Sequence, residues 1–359
     1  MIEVKPESAQ KALIPRPAVE RMQPYHPPTG ARRNKLRLDF NENTVGAPPH
    51  VIDFIKRYLT AADLSIYPEY DHALEDLSAH FGVTVDELTL TNGTDEAIQL
   101  VVNTFVDDEE EVLILRPSYA MYRFYSQLAG ARVDEIDYRP GTLAFPLEEL
   151  LDRITPATRA VLVSNPNNPT GTGIDVVGIE QIVRKAENAV VLIDEAYFEF
   201  SGTTVLPLLG EYPNLFVSRT FSKTYGMAGM RCGCLFSRPA NMEYIRKIQS
   251  PYSVNALAAM AARIAVQDRT FVEEYVLEVL TARELLYVGL ERLNIPYFKS
   301  QANFVLMQAG DRAVEIRDEL RNRGILVRDR SYEIPGCVRV TVGTRDQVQR
   351  FLDELEQIW

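Results

Sequence analysis

The chain has 359 residues, 46% of them hydrophobic and 25% charged, an ordinary balance for a folded protein of about two domains. Its formal net charge of −12 excludes a surface that holds nucleic acid or an anionic membrane by bulk electrostatics. An anion must instead be met by locally gathered arginines, lysines and N–H groups, which makes every arginine cluster informative.

Residues 1 to about 35 are rich in proline and basic side chains (PRP, PYHPP, TGARR) and read as an irregular arm. Their start, MIEVKPESAQKALIPRP, lacks the apolar stretch of a signal peptide, and no apolar run reaches membrane-spanning length. Beyond the arm, short β-branched runs alternate with helical patterns. LTLTNGTDEAIQLVVNTF, EVLILRPSYAMYRFYSQLAG and RAVLVSNPNNPTGTGIDVVGIEQIVRKAEN each read as strand, turn and helix, while VVLIDEAYFEF and NLFVSRTFSKTYGMAG add strands that end in polar turns. This order predicts an α/β fold, with a mostly parallel central sheet and helices on both faces. After about residue 255, one long helical segment (NALAAMAARIAVQDRTFVEEYVLEVLTARELLYVGLERL) precedes short strands (ANFVLMQ, ILVRDR, CVRVTVG) and a last helix. We therefore expect a large domain over 43–254 and a smaller α+β domain over 255–359, completed by part of the arm, 1–42.

Three cysteines are too few and too odd in number for a disulfide framework, and they suit a reducing, cytoplasmic setting. Cys232 and Cys234 form a C-x-C without a second ligand pair, so they read as buried strand residues and no metal is expected.

Candidate chemistry collects just after the strands, where open α/β sheets bind ligands. At Asn92-Gly93-Thr94-Asp95 a strand meets a helix start, and Gly93 lets the backbone approach an anion. Taken alone, that turn is an ordinary helix start. VSRTFSKTYGMAGMR supplies Arg219, Thr220, Ser222, Lys223 and Arg231 within thirteen residues, enough to surround a second side of the same anion. Ser222-Lys223-Thr224 lacks the preceding glycines of a nucleotide P-loop, and Gly171-x-Gly173 lacks the third glycine of a dinucleotide fingerprint. A lysine among hydroxyls and an arginine suits Schiff-base chemistry better than either nucleotide reading. Asp194 follows a strand able to be buried, so its carboxylate needs a partner, which a cofactor ring N–H or a local arginine could supply. Asn168, in SNPNNPTG, and Tyr197 are both able to donate to a phenolic oxygen.

Together SNPNNPTG, DEAY and TFSK, with Arg231 eight residues after the lysine, resemble the fold-type I aminotransferases that use pyridoxal 5′-phosphate (PLP). The longer series NEN, YPEY, NGTDEAI, RPSYAMY, TFSKTYGMAGMR, PYSVN, ANF and CVRVTVGT is similar to the histidinol-phosphate branch and runs in order along nearly the whole chain. The resemblance implies a role for each matching residue. Lys223 carries the cofactor and moves the proton, Asp194 pairs with the ring nitrogen, and Asn168 and Tyr197 bond the ring hydroxyl. Gly93, Thr94, Asp95, Thr220, Ser222 and Arg231 hold the phosphate, and Tyr119 stacks on the ring. Tyr67 reaches the neighbouring subunit's cofactor, implying a homodimer with shared active sites. Arg339 clamps the carboxylate of glutamate or 2-oxoglutarate, Arg328 shares the anion, and Asn41 faces the substrate. Arg330 stands as a further candidate or a solvated loop residue.

Two departures fall near substrate-facing loops: NENT replaces the usual N-E-N-P, and the segment between Arg328 and Arg339 is short. An aromatic amino-acid aminotransferase or a phosphoamino-acid decarboxylase would keep every cofactor residue. A non-catalytic PLP-binding regulator needs an N-terminal DNA-binding module, for which the residues before NEN are too few and too rich in proline.

Overall fold

The computed structural model describes residues 13–24 and 32–359. In chain order its strands are β1 (Leu36–Leu38), β2 (Leu88–Thr91), β3 (Glu111–Arg116), β4 (Arg132–Asp137), β5 (Thr158–Ser164), β6 (Val190–Asp194), β7 (Leu215–Thr220), β8 (Gly233–Phe236), β9 (Tyr297–Phe298), β10 (Phe304–Gln308), β11 (Ile325–Asp329) and β12 (Cys337–Thr341). The large sheet has the order β2-β8-β7-β6-β5-β3-β4. Strands β3 to β7 run parallel, and only β8 opposes its neighbours β7 and β2. Every residue of β6 and β7 is buried, as expected of a sheet covered on both faces.

Alternation along these strands sorts side chains between two layers. Val191, Ile193, Leu215 and Val217 join Ile179, Ile182 and Val183 of the helix Val176–Lys185. Val190, Leu192 and Phe216 join Ala97, Ile98 and Val101 of the helix Gly93–Phe105, together with Tyr122. The alternation continues at the strand ends. Asp194 meets Tyr122 in the second layer, whereas Glu195 pairs with Arg219 on the opposite face at 2.9 Å. There the Arg219 guanidinium lies 3.6 Å from the Phe198 ring centre and 5.3 Å from that of Phe81.

The small sheet has the order β1-β11-β12-β10-β9. Strand β1 comes from the N-terminal segment and pairs parallel with β11. Helices Thr270–Arg292, Ala313–Asn322 and Arg345–Glu356 cover the sheet through Leu286, Leu290, Ile316, Leu320, Phe351 and Leu355. Gly289 lets Leu352 press against the backbone of the first of these helices, a contact any side chain there would block.

Two expectations change. The long helical segment is two helices, Ala256–Ala265 and Thr270–Arg292, separated where Asp268 accepts from the Thr270 N–H at 2.9 Å and starts the second. The first helix buries Ala258, Ala261, Ala262 and Ala265 in the large-domain core, so the small-domain core begins near Tyr275 rather than at 255. The arm is not wholly irregular either, because Pro17–Glu20 forms one helical turn beginning on proline. All three cysteines are buried and free. Among the described residues no helix is long and apolar enough to cross a membrane, and no cluster of metal-binding side chains occurs.

The Glu195–Arg219 pair leads to a prediction about stability. Its side chains are 1% and 8% exposed, so Glu195→Gln leaves a buried guanidinium without its counter-charge. Urea unfolding of the apoprotein should show a loss of about 3–5 kcal/mol. Replacing both partners by apolar residues of similar volume should cost far less.

Candidate active site

A cavity of about 440 Å³ opens at the carboxyl ends of β5, β6 and β7, and its opposite wall is formed by the small sheet. It brings together Thr94, Asp95, Tyr119, Asn168, Asp194, Tyr197, Thr220, Ser222, Lys223 and Arg231 from the large domain. Asn41, Arg328 and Arg339 face them from the other side. Gly93 lies just outside the lining and opens the helix that carries Thr94 and Asp95.

Asp194 ends β6 and is 2% exposed. Ser218 Oγ donates to one carboxylate oxygen at 3.0 Å and Tyr122 OH to the other at 2.8 Å. Burial nevertheless pushes Asp194 up to about 6, against the lowering effect of the two hydroxyls. Sequence reasoning missed both partners. Tyr122 is three residues beyond Tyr119 in the quoted RPSYAMY; Tyr119 caps the helix Ala120–Ala129 and Tyr122 lies in its first turn, their rings meeting edge-on. Ser218 is cross-strand partner of Asp194, as Ser164 is on the other side.

The opposite end of the cavity suits an anion. No side chain caps the helix at Asn92, which leaves first-turn N–H groups without partners from a cap. Gly93 has φ +73°, and a Cβ there would lie 2.6 Å from Arg231 Nη2. Thr220 Oγ1 accepts from the Ser222 N–H at 3.1 Å and donates to Ser222 Oγ at 3.0 Å, fixing both hydroxyls beside it. Arg231 itself adopts a left-handed backbone, φ 56°, which is uncommon for a non-glycine residue. One assignment shifts. The Asp95 carboxylate accepts from Arg231 at 3.1 Å and from Tyr119 OH at 2.7 Å. It therefore orients those side chains, since a carboxylate repels a phosphate, and only its N–H is suited to the anion.

Lys223 Nζ donates to the Phe40 carbonyl at 3.2 Å and lies 5.6 Å from the Tyr197 ring centre. Tyr197 OH accepts from Asn41 Nδ2 at 3.0 Å, so its own proton is free to donate. Asn41 also accepts from Thr341 Oγ1 at 3.2 Å. These two bonds tie the domains together, and Asn41 still lines the cavity with one amide N–H and one lone pair unused by them.

On the small-domain wall, Arg328 and Arg339 are direct cross-strand partners in the β11–β12 ladder. Like charges so placed repel unless an anion lies between them. Arg339 is 4% exposed, donates to Asp39 O at 2.6 Å and to Asn168 Oδ1, and has its buried Nε without a partner. Burial, followed by Arg330 and Arg328, presses it down to about 10. Arg330 is 9% exposed and lines the same cavity, paired with Glu333 and Tyr332, so it is no solvated loop residue. Glu333 was invisible to motif reading because it lies in the shortened loop. Tyr67 lies outside the cavity, 72% exposed and stacked on Tyr252 with ring centres 4.3 Å apart.

This donor set fits PLP: hydroxyls, a guanidinium and a helix N-terminus for its phosphate, a buried carboxylate for its ring nitrogen, and an amine for its aldehyde. The model of aminotransferase class I and II matches residues 33–355. A histidinol-phosphate aminotransferase of Symbiobacterium thermophilum is 34% identical over 355 residues, covering 95% of this chain and 97% of the relative. One from Caldanaerobacter subterraneus subsp. tengcongensis is 35% identical over 333 residues, covering 90% and 93%. The crystal structure of the histidinol-phosphate aminotransferase from Clostridium acetobutylicum superposes with a TM-score of 0.83 at 26% identity, covering 90% of this chain and 98% of that one. The chain thus belongs to the class I and II aminotransferases, enzymes that depend on pyridoxal 5′-phosphate.

Proposed function

We propose that the chain transfers an amino group from histidinol phosphate to 2-oxoglutarate, and that the residues gathered in the cavity carry the reaction. The observation that carries this reading is the opposed pair Arg328 and Arg339, with Arg330 beside them, facing Lys223 and Asp194 across one cavity. Three guanidinium groups face the carboxylate of Glu333, while Glu42 on the same wall is paired with Arg32 and Arg37, so an excess of positive charge is left. A phosphate monoester dianion suits that excess in one half-reaction, and the carboxylates of the oxo acid suit it in the other. The names of the relatives support the same donor.

Bound PLP supplies an aldehyde for the amino group and a ring that withdraws electrons from the substrate's Cα. The chain's own residues do the rest. Thr94, Thr220, Ser222, Arg231 and the N–H groups after Gly93 hold the phosphate. Asp194 keeps a proton on the ring nitrogen, while Tyr197 and Asn168 donate to the phenolic oxygen. Tyr119, oriented through Asp95, would stack on the ring. Lys223 would hold the cofactor through its amine, and the same amine would take and return the proton at the substrate's Cα. Arg339 and Arg328 orient the substrate so that this bond faces the lysine. Exposed Leu64, Ile66, Tyr67 and Tyr252 support a homodimer in which Tyr67 serves the neighbouring subunit's phosphate site. The three free, buried cysteines suit the cytoplasm.

Lys223→Ala should lower turnover by more than about 10³-fold while PLP still binds without a covalent link. Dialysis followed by absorbance measures the retained cofactor, and full transamination by this variant would overturn the mechanism. Donor choice is tested by titrating the holoenzyme with histidinol phosphate, beside phenylalanine and threonine phosphate. The visible band should collapse with histidinol phosphate and return with 2-oxoglutarate. An unchanged band with that donor sinks the substrate assignment and leaves the cofactor chemistry standing.

Asp194 also gives the apoprotein a pH signature. Its folded value, raised from 3.8 to about 6, means that the folded state binds this proton more tightly than the unfolded chain does. The resulting stability is complete below about pH 4 and is lost as pH rises through about 6, a change of up to about 3 kcal/mol. Asp194→Asn should remove this component. Its advantage in unfolding free energy over the parent apoprotein should therefore grow across that window, and a flat difference would contradict the raised value.

A further inference from the structure

We infer that Tyr122 and Ser218 are positioning residues that hold the Asp194 carboxylate ionised and aimed at the cofactor's ring nitrogen, a role that rests on the reading above. The three side chains form a closed unit. Sheet register sets Ser218 beside Asp194, and its hydroxyl meets Oδ1 at 3.0 Å. Tyr122, in the first turn of the helix Ala120–Ala129, reaches Oδ2 at 2.8 Å from the covering layer. Each carboxylate oxygen accepts one hydroxyl proton, and both donors are 0% exposed. The backbone N–H of Ala196 adds a further contact, and the rest of the carboxylate faces the cavity that Asp194 lines.

The need for such a clamp follows from the charge environment. Among the described residues no lysine or arginine forms an ion pair with Asp194; its side-chain partners are the two hydroxyls. A buried carboxylate without a counter-cation drifts towards its neutral acid, and a neutral acid cannot balance a protonated ring. Hydroxyl donors favour the charged form, and they do so without adding a cation that would compete with the ring for the carboxylate. Removing either donor makes Asp194 the stronger base. The proton between the two groups then moves from ring nitrogen to carboxylate oxygen, leaving both partners neutral. Tyr122 also packs against Tyr119 edge-on, with ring centres 5.8 Å apart, so a purely structural role must be separated from the hydroxyl's. Phenylalanine does this because it keeps the ring.

The experiment reconstitutes the parent protein, Tyr122→Phe, Ser218→Ala, Ser218→Thr and Asp194→Asn with PLP labelled with ¹⁵N in the ring. The ring-nitrogen resonance is read at fixed pH, and PLP affinity by equilibrium dialysis. The parent should show a protonated ring nitrogen. Tyr122→Phe and Ser218→Ala should each move the resonance towards neutral pyridine and weaken PLP binding about tenfold or more, as expected for a hydrogen bond to a charged group. Ser218→Thr, which keeps a hydroxyl, should stay with the parent. Parent-like resonance and affinity in both Tyr122→Phe and Ser218→Ala would overturn the proposal. So would a Ser218→Thr shift as large as that of alanine, because packing would then be the cause. If the parent binds no PLP, or if Asp194→Asn leaves the resonance unchanged, the pairing of Asp194 with the ring has failed and the clamp falls with it. That outcome is distinct from failure of the hydroxyls alone.

Discussion

A carboxylate buried at the end of a central parallel strand is the constraint around which this site is arranged. Asp194 is out of water and, among the described residues, without a cation of its own, a state that is costly by itself. Its surroundings are those a bound cationic ring would complete: small serines on either neighbouring strand, a tyrosine hydroxyl from the covering helix, and open space in the remaining direction. The apoprotein thus retains an unfavourable charge whose relief is available on binding. Stability forgone in the empty protein reappears as affinity for the cofactor.

The small-domain wall follows the same logic with the sign reversed. Opposing Arg328 and Arg339 across an antiparallel ladder works against the sheet, and burial presses Arg339 towards its neutral form. Glu333 offsets part of the charge through Arg330. Negative strain on one side of the cavity and positive strain on the other create a field across it. A cationic ring suits the acidic side and an anionic group the basic side, so the two walls call for opposite charges at opposite ends of one cavity.

Much of this was legible before any coordinates. The alternation of β-branched runs and helical patterns gave the sheet class, and NPNNPTG, DEAY and TFSK marked three loops that do meet at one cavity. Those motifs work because turn residues and reactive side chains are close neighbours in sequence. The remaining contacts depend on packing. Ser218 meets Asp194 only through the register of β6 and β7, and Tyr122 does so only because its helix crosses the end of that strand. Arg330 stood open between anion binder and solvated loop residue because nothing local shows that its loop folds back over the cavity. Asp95 was grouped with the phosphate binders through the family resemblance, although its carboxylate serves Arg231 and Tyr119. The helix break near Asp268 was missed because apolar periodicity continues on both sides of it, even though the two helices belong to different cores.

The alternation of Asp194 and Glu195 across the sheet limits how this sequence can change. The two carboxylates are adjacent in the chain, yet one faces the cavity and the other holds Arg219 on the far side. A single inserted or deleted residue within β6 would exchange them, because a slip of one position turns every side chain to the opposite face. Arg219 would lose its partner in the same event that removed the ring-facing carboxylate. Length changes are therefore excluded from the central strands, and variation in chain length falls to segments such as the turn between β11 and β12. That turn lines the cavity on the side away from Asp194 through Arg330, Tyr332 and Glu333, so changes in length there reshape one wall while leaving the strand-end residues in place.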